Sequence, residues 1–297
     1  MAFFQEADSI RFCLDKLAGI HGSSLKLIKS QPVGGGCINN ALKLSTSVGV
    51  FFLKWNSNAP KDMFGKEAAG LTEMSQSDSL LVIPKVIFYA EPGDSSGLLL
   101  MEYLQPATNT LGFDEKLGRG LAQMHRKSAG KFGFQHSNYC GTTVQNNSWT
   151  ASWPEFYSQN RIDALIKQIK RNRALSVNDQ KIYDKLIDRL PNLLPHSTMP
   201  SLIHGDLWSG NYMFTAKGPA LIDPACYYAD REMELGMMKL FGGFSTNVWA
   251  AYQEEWPLPD DWQHRNLLYQ LYHVLNHYLL FGGSYGWQAL DIAKKYL

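Results

Sequence analysis

The sequence predicts an α+β chain of two unequal lobes, a small β-rich N-terminal lobe over 1–104 and a larger helical lobe over 105–297, with a cleft between them. Three observations carry this expectation. The first hundred residues hold short β-rich runs punctuated by turns. From about Asp114 onward helical periodicity dominates. The length of 297 residues, with 45% hydrophobic and 12% aromatic content, is ample for a packed core on both sides of a cleft.

In chain order, Pro32-Val33-Gly34-Gly35-Gly36-Cys37-Ile38-Asn39-Asn40 reads as a glycine-rich turn, followed by strands at Ala41 to Ser45 and Val50 to Trp55. One helical stretch interrupts the sheet around Met63 to Met74, where Phe64, Ala68, Leu71 and Met74 recur at helical spacing. Strands resume at Val86 to Ala90 and Leu98 to Tyr103. In the second lobe Leu117, Leu121 and Met124 form one helical stripe. Phe156, Tyr157, Leu165, Ile166 and Ile169 predict one or two helices after Pro154, and another starts near Asn178. Tyr-Met-Phe, a turn through Ala216-Lys217-Gly218-Pro219, and Ala-Leu-Ile form a hairpin between Asn211 and Asp223. Helices return at Glu232 and near Trp262.

The chemistry concentrates in His204-Gly205-Asp206-Leu207-Trp208-Ser209-Gly210-Asn211 and, after the hairpin, Leu221-Ile222-Asp223. A kinase catalytic loop needs an Asp beside the attacking hydroxyl and an Asn a few residues later, so that one loop supplies a proton acceptor and a metal ligand. Asp206 and Asn211 meet that spacing. A second Asp must return on the far side of the hairpin to face the same metal, and Asp223 does so. Asp and Asn also shape polar loops on their own; three such groups at kinase spacing between apolar flanks favour a site. His204 is read as a residue packed under the loop, holding a carbonyl, rather than as an acid.

Upstream, Phe51-Phe52-Leu53-Lys54-Trp55 places an ammonium in an apolar strand, where it needs a partner unless it points outward from an edge. Glu67 on the following helix can supply it, as in the lysine and glutamate pair that positions ATP phosphates. Gly34, Gly35 and Gly36 let backbone N–H groups approach a polyphosphate, although glycine clusters are commonly plain turns and this one lacks the ending of a P-loop. The strand ending at Met101-Glu102-Tyr103-Leu104 falls at the lobe junction, where backbone groups of Glu102 and Leu104 are expected to meet an adenine. His273 and His277 lie at i, i+4 without the glutamate of a metalloprotease pattern and read as core or surface histidines.

Other classes are disfavoured. A net charge of +1, from 28 basic and 27 acidic residues, gives no field for nucleic acid or an anionic membrane. The first residues lack the pattern of a secretion signal and no run reaches the roughly 18 apolar residues of a spanning helix. Cys13, Cys37, Cys140 and Cys226 are scattered without zinc spacing, as in a reducing cytoplasm. A monomer without nucleic-acid or membrane partners is expected.

At these residues the chain resembles the fructosamine kinase (ketosamine 3-kinase) family, relatives of aminoglycoside and choline phosphotransferases on a protein-kinase-like fold. The resemblance covers nearly the whole chain. It rests on Gly34 to Asn39, on Leu202 to Asn211 with Trp208, on Asp223-Pro224-Ala225, and on Tyr227 to Glu232. Leu240 to Phe244, Gln145, Asn147, Trp149, Trp153 and the stretch from Leu268 to Gly282 add to it. It implies transfer of the γ-phosphoryl group of ATP, with Mg2+, to the 3-hydroxyl of a ketosamine, the sugar adduct that glycation leaves on a free amine or a protein. The 3-phosphate then decomposes and frees the amine. Val144 stands where the family pattern has Pro, and Ala229 where it has Gly. Trp208, Asn147 and Trp149 are the candidates for the acceptor side, where aromatic faces cover a sugar or cationic amine, with packing of the helical lobe as the competing role. Aminoglycosides, choline or a free sugar are the alternative acceptors, and a silent nucleotide-binding scaffold is the alternative class.

Overall fold

The computed structural model describes residues 2–22, 24–34, 39–92, 97–173 and 175–297, with side chains from residue 6 onward. It opens with a helix that the sequence pattern did not reveal, α1 (Ala2–His21). A five-stranded antiparallel sheet follows in the order β1-β2-β3-β5-β4, from β1 (Leu27–Pro32), β2 (Asn40–Thr46), β3 (Gly49–Asn56), β4 (Val86–Ala90) and β5 (Gly97–Glu102). Between β3 and β4 runs α2 (Met63–Ser75).

Two helices clasp this sheet, which explains the unbroken apolar run of β5. Leu98 and Leu100 pack with Cys13 and Leu17 of α1 and with Leu42, Leu44 and Leu53. Leu99 and Met101 face the other way, onto Phe64, Ala68 and Leu71 of α2. A strand covered on both faces has no polar side to alternate with. Cys13 and Leu17 are four residues apart on α1, a stripe too narrow to stand out from its polar flanks.

The larger lobe contains α3 (Phe113–His125), the hairpin β6 (Asn138–Cys140) and β7 (Thr143–Gln145), α4 (Trp153–Phe156), α5 (Ala164–Asn172) and α6 (Val177–Leu193). Seven residues, Tyr157–Asp163, join α4 to α5 as a π-helix, so the helices expected after Pro154 form one rod with a π segment inside it. Ser152 caps its start by accepting from the Glu155 N–H, and Pro154 sits in the first turn, where its missing donor costs nothing. Next come β8 (Ser201–Ile203), the hairpin β9 (Tyr212–Thr215) and β10 (Gly218–Leu221), and β11 (Tyr227–Ala229), which pairs antiparallel with β8. The chain ends in α7 (Glu232–Phe241), α8 (Thr246–Glu255), α9 (Trp262–Phe281) and α10 (Tyr285–Lys295). Residues Leu268 to Asn276 of α9 are all buried, so this helix is the axis of the lobe.

Close helix crossings depend on glycine. A Cβ at Gly118 of α3 would lie 2.2 Å from the Val248 carbonyl oxygen of α8, and one at Gly236 of α7 would lie 2.8 Å from Cβ of Tyr269 on α9. The lobe's core runs from Leu117 and Leu121 through Trp153, Phe156 and Tyr157 to Leu271 and Leu275, separate from the two clusters of the sheet.

Candidate active site

The β8–β11 pair and the β9–β10 hairpin present two loops to the underside of the sheet. The first, from His204 to Asn211, is held from below. His204 is buried, and its Nε2 donates to the Ile222 carbonyl at 2.7 Å, which leaves Nδ1 to accept from the Asp206 N–H at 3.3 Å. Burial lowers the imidazole pKa, consistent with this neutral tautomer. Glu234 of α7, fully buried, accepts from the backbone N–H groups of His204 and Gly205, the latter at 3.2 Å. Gly205 sits at φ 84°, and a Cβ there would fall 2.3 Å from the Ala225 carbonyl oxygen. No side chain, and so no arginine of the protein-kinase pattern, fits at this position.

Asp206 emerges from that platform half-buried, facing the cleft. Burial, then the charges of Glu234 and Asp223, push its carboxyl up to about 8, against a donated hydrogen bond from Asn211. The Asn211 Nδ2 donates to the Asp206 backbone oxygen at 2.8 Å and to Oδ2 at 3.3 Å, which leaves the Asn211 Oδ1 without a partner among the described residues. The indole of Trp208 folds over Gly210, where an added Cβ would meet the ring at 2.3 Å. Trp208 lines the cleft and is 36% exposed.

Asp223 follows the hairpin at φ 57°, the one non-glycine residue with positive φ among the described residues. Such a backbone costs about 1–3 kcal/mol and is held by its surroundings. Lys54, on β3, points inward rather than out from an edge. Its Nζ lies 2.9 and 3.0 Å from the Glu67 carboxylate oxygens and 3.0 Å from Asp223 Oδ1. Burial opposes its charge, but Asp223 and Glu67 outweigh it and hold the ammonium protonated well above the usual lysine range.

These groups line one cleft of about 470 Å³ between the sheet and the helical lobe, together with Gly34, Met101, Glu102 and Leu104. Gly35, Gly36 and Cys37 lie outside the described residues. The Glu102 N–H is taken by the Lys85 carbonyl at 2.9 Å, and the Leu104 N–H has no partner among the described residues. Asn211 Oδ1 and the Asp223 carboxylate are oxygen donors of the kind a hard dication takes. The crowding of Asp206, Asp223 and Glu234 is a concentration of negative charge that such an ion relieves.

Asn147 and Trp149 are not brought to this cleft. Asn147 is buried, donating to Asn138 Oδ1 at 2.8 Å and accepting from Arg161 Nη2 at 2.7 Å, so its amide is spent on the scaffold. Trp149 lies against Tyr228, with ring centroids 6.1 Å apart, on another face. One contributor was not singled out from sequence: Glu234 had no signal beyond an acidic residue in a first helical turn.

A fructosamine kinase family model matches residues 13–297. The chloroplastic protein-ribulosamine 3-kinase of Oryza sativa subsp. indica is 39% identical over 284 residues, covering 93% of this chain and 81% of the relative. A protein named as a ketoamine kinase in Enterococcus faecium is 36% identical over 277 residues, 92% of this chain and 98% of its own. A Thermobifida fusca protein described as a fructosamine-3-kinase has a solved structure that superposes with a TM-score of 0.84 at 29% identity, covering 95% of this chain and 97% of that one. A thermostable mutant aminoglycoside phosphotransferase, solved with AMP-PNP and hygromycin B, superposes with a TM-score of 0.63 at 14% identity over 95% of this chain and 97% of its own, which shows the protein-kinase-like fold.

Proposed function

Because the chain belongs to the fructosamine kinase family, we propose that it uses ATP to phosphorylate the 3-hydroxyl of a ketosamine, with Asp206 as the proton acceptor. The observation that carries the residue roles is the convergence of Lys54, Asp206, Asn211 and Asp223 on one cleft. Asp206 takes the proton of the acceptor hydroxyl as its oxygen bonds to the γ-phosphorus, and the bond from that phosphorus to the bridging oxygen breaks to release ADP. Lys54, oriented by Glu67, holds the α- and β-phosphates. The Glu102 carbonyl and Leu104 N–H face the adenine beside Met101, and Gly34 lies on the phosphate side of the cleft. Asn211 and Asp223 would hold Mg2+, which when bound offsets phosphate charge. Alignment and charge neutralisation supply most of such a reaction's acceleration.

Trp208, at the cleft mouth next to Asp206, is the acceptor-side aromatic in this reading; Asn147 and Trp149 are left out of it. The lobes are divided at 104/105. A monomer in the cytosol, acting on a free or protein-borne adduct, fits the near-neutral charge, and no helix among the described residues is long and apolar enough to cross a membrane.

ATP consumption with ribulosyl-lysine, fructosyl-lysine, choline and kanamycin tests the acceptor class. Turnover is expected with a ketosamine; turnover confined to choline and kanamycin overturns it. Asp206→Ala should lower kcat by roughly 100- to 10,000-fold, the range of a lost general base, while nucleotide affinity stays within a few-fold. Unchanged turnover removes Asp206 from its role.

A further inference from the structure

The floor beneath Asp206 holds a group of side chains that phosphoryl transfer does not use. Cys140 closes β6, and His273 lies midway along α9. One donor atom from each, with a carboxylate oxygen of Asp206, forms a triad whose members all lie within 4.8 Å of one another. We propose that Cys140, His273 and Asp206 form a binding site for a thiophilic divalent cation of the zinc class, separate from the Asn211 and Asp223 pair, and that its occupation arrests the kinase.

The donor chemistry distinguishes the two sites. Asn211 and Asp223 offer only oxygen, which suits magnesium, whereas a thiol, an imidazole and a carboxylate are the ligand types of zinc. A second observation is independent of the clustering. His273 is buried to 1% exposure, and its Nδ1 has no hydrogen-bond partner among the described residues, which is costly for a nitrogen that is not reserved for a ligand. Burial holds the ring neutral, its pKa down at about 3, so a lone pair is available. One helical turn on, Asn276 donates through Nδ2 to both the backbone oxygen and Sγ of Cys140 at 3.3 Å, orienting the sulfur.

Tetrahedral zinc, with bonds of about 2.0–2.3 Å, sets its ligand atoms roughly 3.3–3.7 Å apart, so side-chain shifts of about 1 Å complete the site. On coordination the Cys140 thiol releases its proton to solvent, and no redox change is involved. Arg161 is the neighbouring cation. Its charge opposes a second positive ion; burial, then the charge of Asp206, push the Cys140 thiol well above the usual range, and Arg161 offsets them only in part, so the bound cation itself must displace the proton.

Arrest of the kinase rests on the reading of Asp206 as proton acceptor, because an oxygen bound to the cation cannot take the hydroxyl's proton. Lys54, Glu67 and Asp223 are outside the triad, so nucleotide binding should survive. Metal-free full-length protein titrated with Co2+ should develop a thiolate-to-cobalt charge-transfer band that Cys140→Ser and His273→Gln each abolish. With Mg2+ in fixed excess, Zn2+ should inhibit turnover reversibly by chelator. Cys140→Ser, which keeps its basal turnover, should need at least tenfold more Zn2+. No cobalt band, or a band and zinc sensitivity unchanged in Cys140→Ser, overturns the site. A Cys140-dependent band without inhibition upholds cation binding at Cys140 and refutes the arrest, whereas a failure of Asp206→Ala to reduce turnover refutes the proton-acceptor reading and with it the stated cause of arrest, while leaving the cobalt result to decide the site.

Discussion

Glu234 contributes no atom to the cleft yet governs Asp206 twice, by fixing the loop's backbone and by adding a negative charge beneath it. The sign of the second effect is testable. A proton acceptor works only when ionised, so turnover fails as pH falls through the raised Asp206 pKa, and removing a like charge lowers that pKa. Glu234→Gln keeps an oxygen to accept from the loop but drops the charge, so the acid limb of kcat/KM should move to lower pH. An unmoved limb would sever the two carboxylates. Gly205→Ala forces a Cβ into the Ala225 carbonyl at φ 84° and should cost about 1–3 kcal/mol by denaturant midpoint, with kcat falling as the loop shifts. Residues of this kind divide by legibility. Asp206, Asn211 and Asp223 could be read because a loop and a hairpin tie chemistry to spacing, and Lys54 because an ammonium inside an apolar strand demands a partner. Glu234 could not, since nothing local says that a helical carboxylate 28 positions after Asp206 turns under the loop. Nor does side-chain type reveal that the Asn147 amide faces Arg161 and Asn138 instead of a substrate.

At the scale of elements, periodicity served where one face was buried and failed where pairing or register was tertiary. Strands β2 to β5, α2 and the β9–β10 hairpin left alternation, helical spacing or turn residues in the sequence, whereas the mostly exposed edge strand β1 left no legible pattern. The β8–β11 pair left none, because Ser201–Ile203 and Tyr227–Ala229 are three residues each and meet only through the fold. The π segment left none either, since a widened turn changes register without changing composition. It places the buried Arg161 beside Tyr227, the guanidinium carbon 3.9 Å from the ring centroid, where aromatic faces and the carbonyl of Asn146 at 2.8 Å compensate its charge. Helix crossings are the other tertiary feature. Gly118→Ala would drive a methyl into the Val248 carbonyl of α8, and the intimate α3–α8 contact gives it no way out but separation of the helices. A loss of about 1–3 kcal/mol is expected in urea unfolding. A neutral effect would mean that the helices slide freely, and would remove the contact from the lobe's stability.

For the whole molecule, the cleft lies where the cores stop, and ion pairs bridge the lobes around it: Lys127–Glu73 and Lys217–Glu102 at its margins and Lys54–Asp223 inside it. Lys54 comes from the sheet and Asp223 from the helical lobe, and at 3.0 Å they join the two before any nucleotide is present. A triphosphate and its metal ion take over both Lys54 and Asp223 in the proposed mode, so bound nucleotide replaces this central pair by several contacts to each lobe and should stabilise the fold. At a ligand concentration about 100 times Kd the gain is about 2.7 kcal/mol, set by mass action alone. The metal's share should run through Asp223. In thermal unfolding, ATP with Mg2+ should raise the Tm of the wild-type chain more than ATP with a chelator. In Asp223→Ala the two increments should converge, because the variant has lost the carboxylate that would join metal to lobe while retaining Lys54 and Glu67 for the phosphates. Should Asp223→Ala keep the full magnesium-dependent increment, the metal is held by other groups, and the positive φ at Asp223 serves the Lys54 ion pair alone.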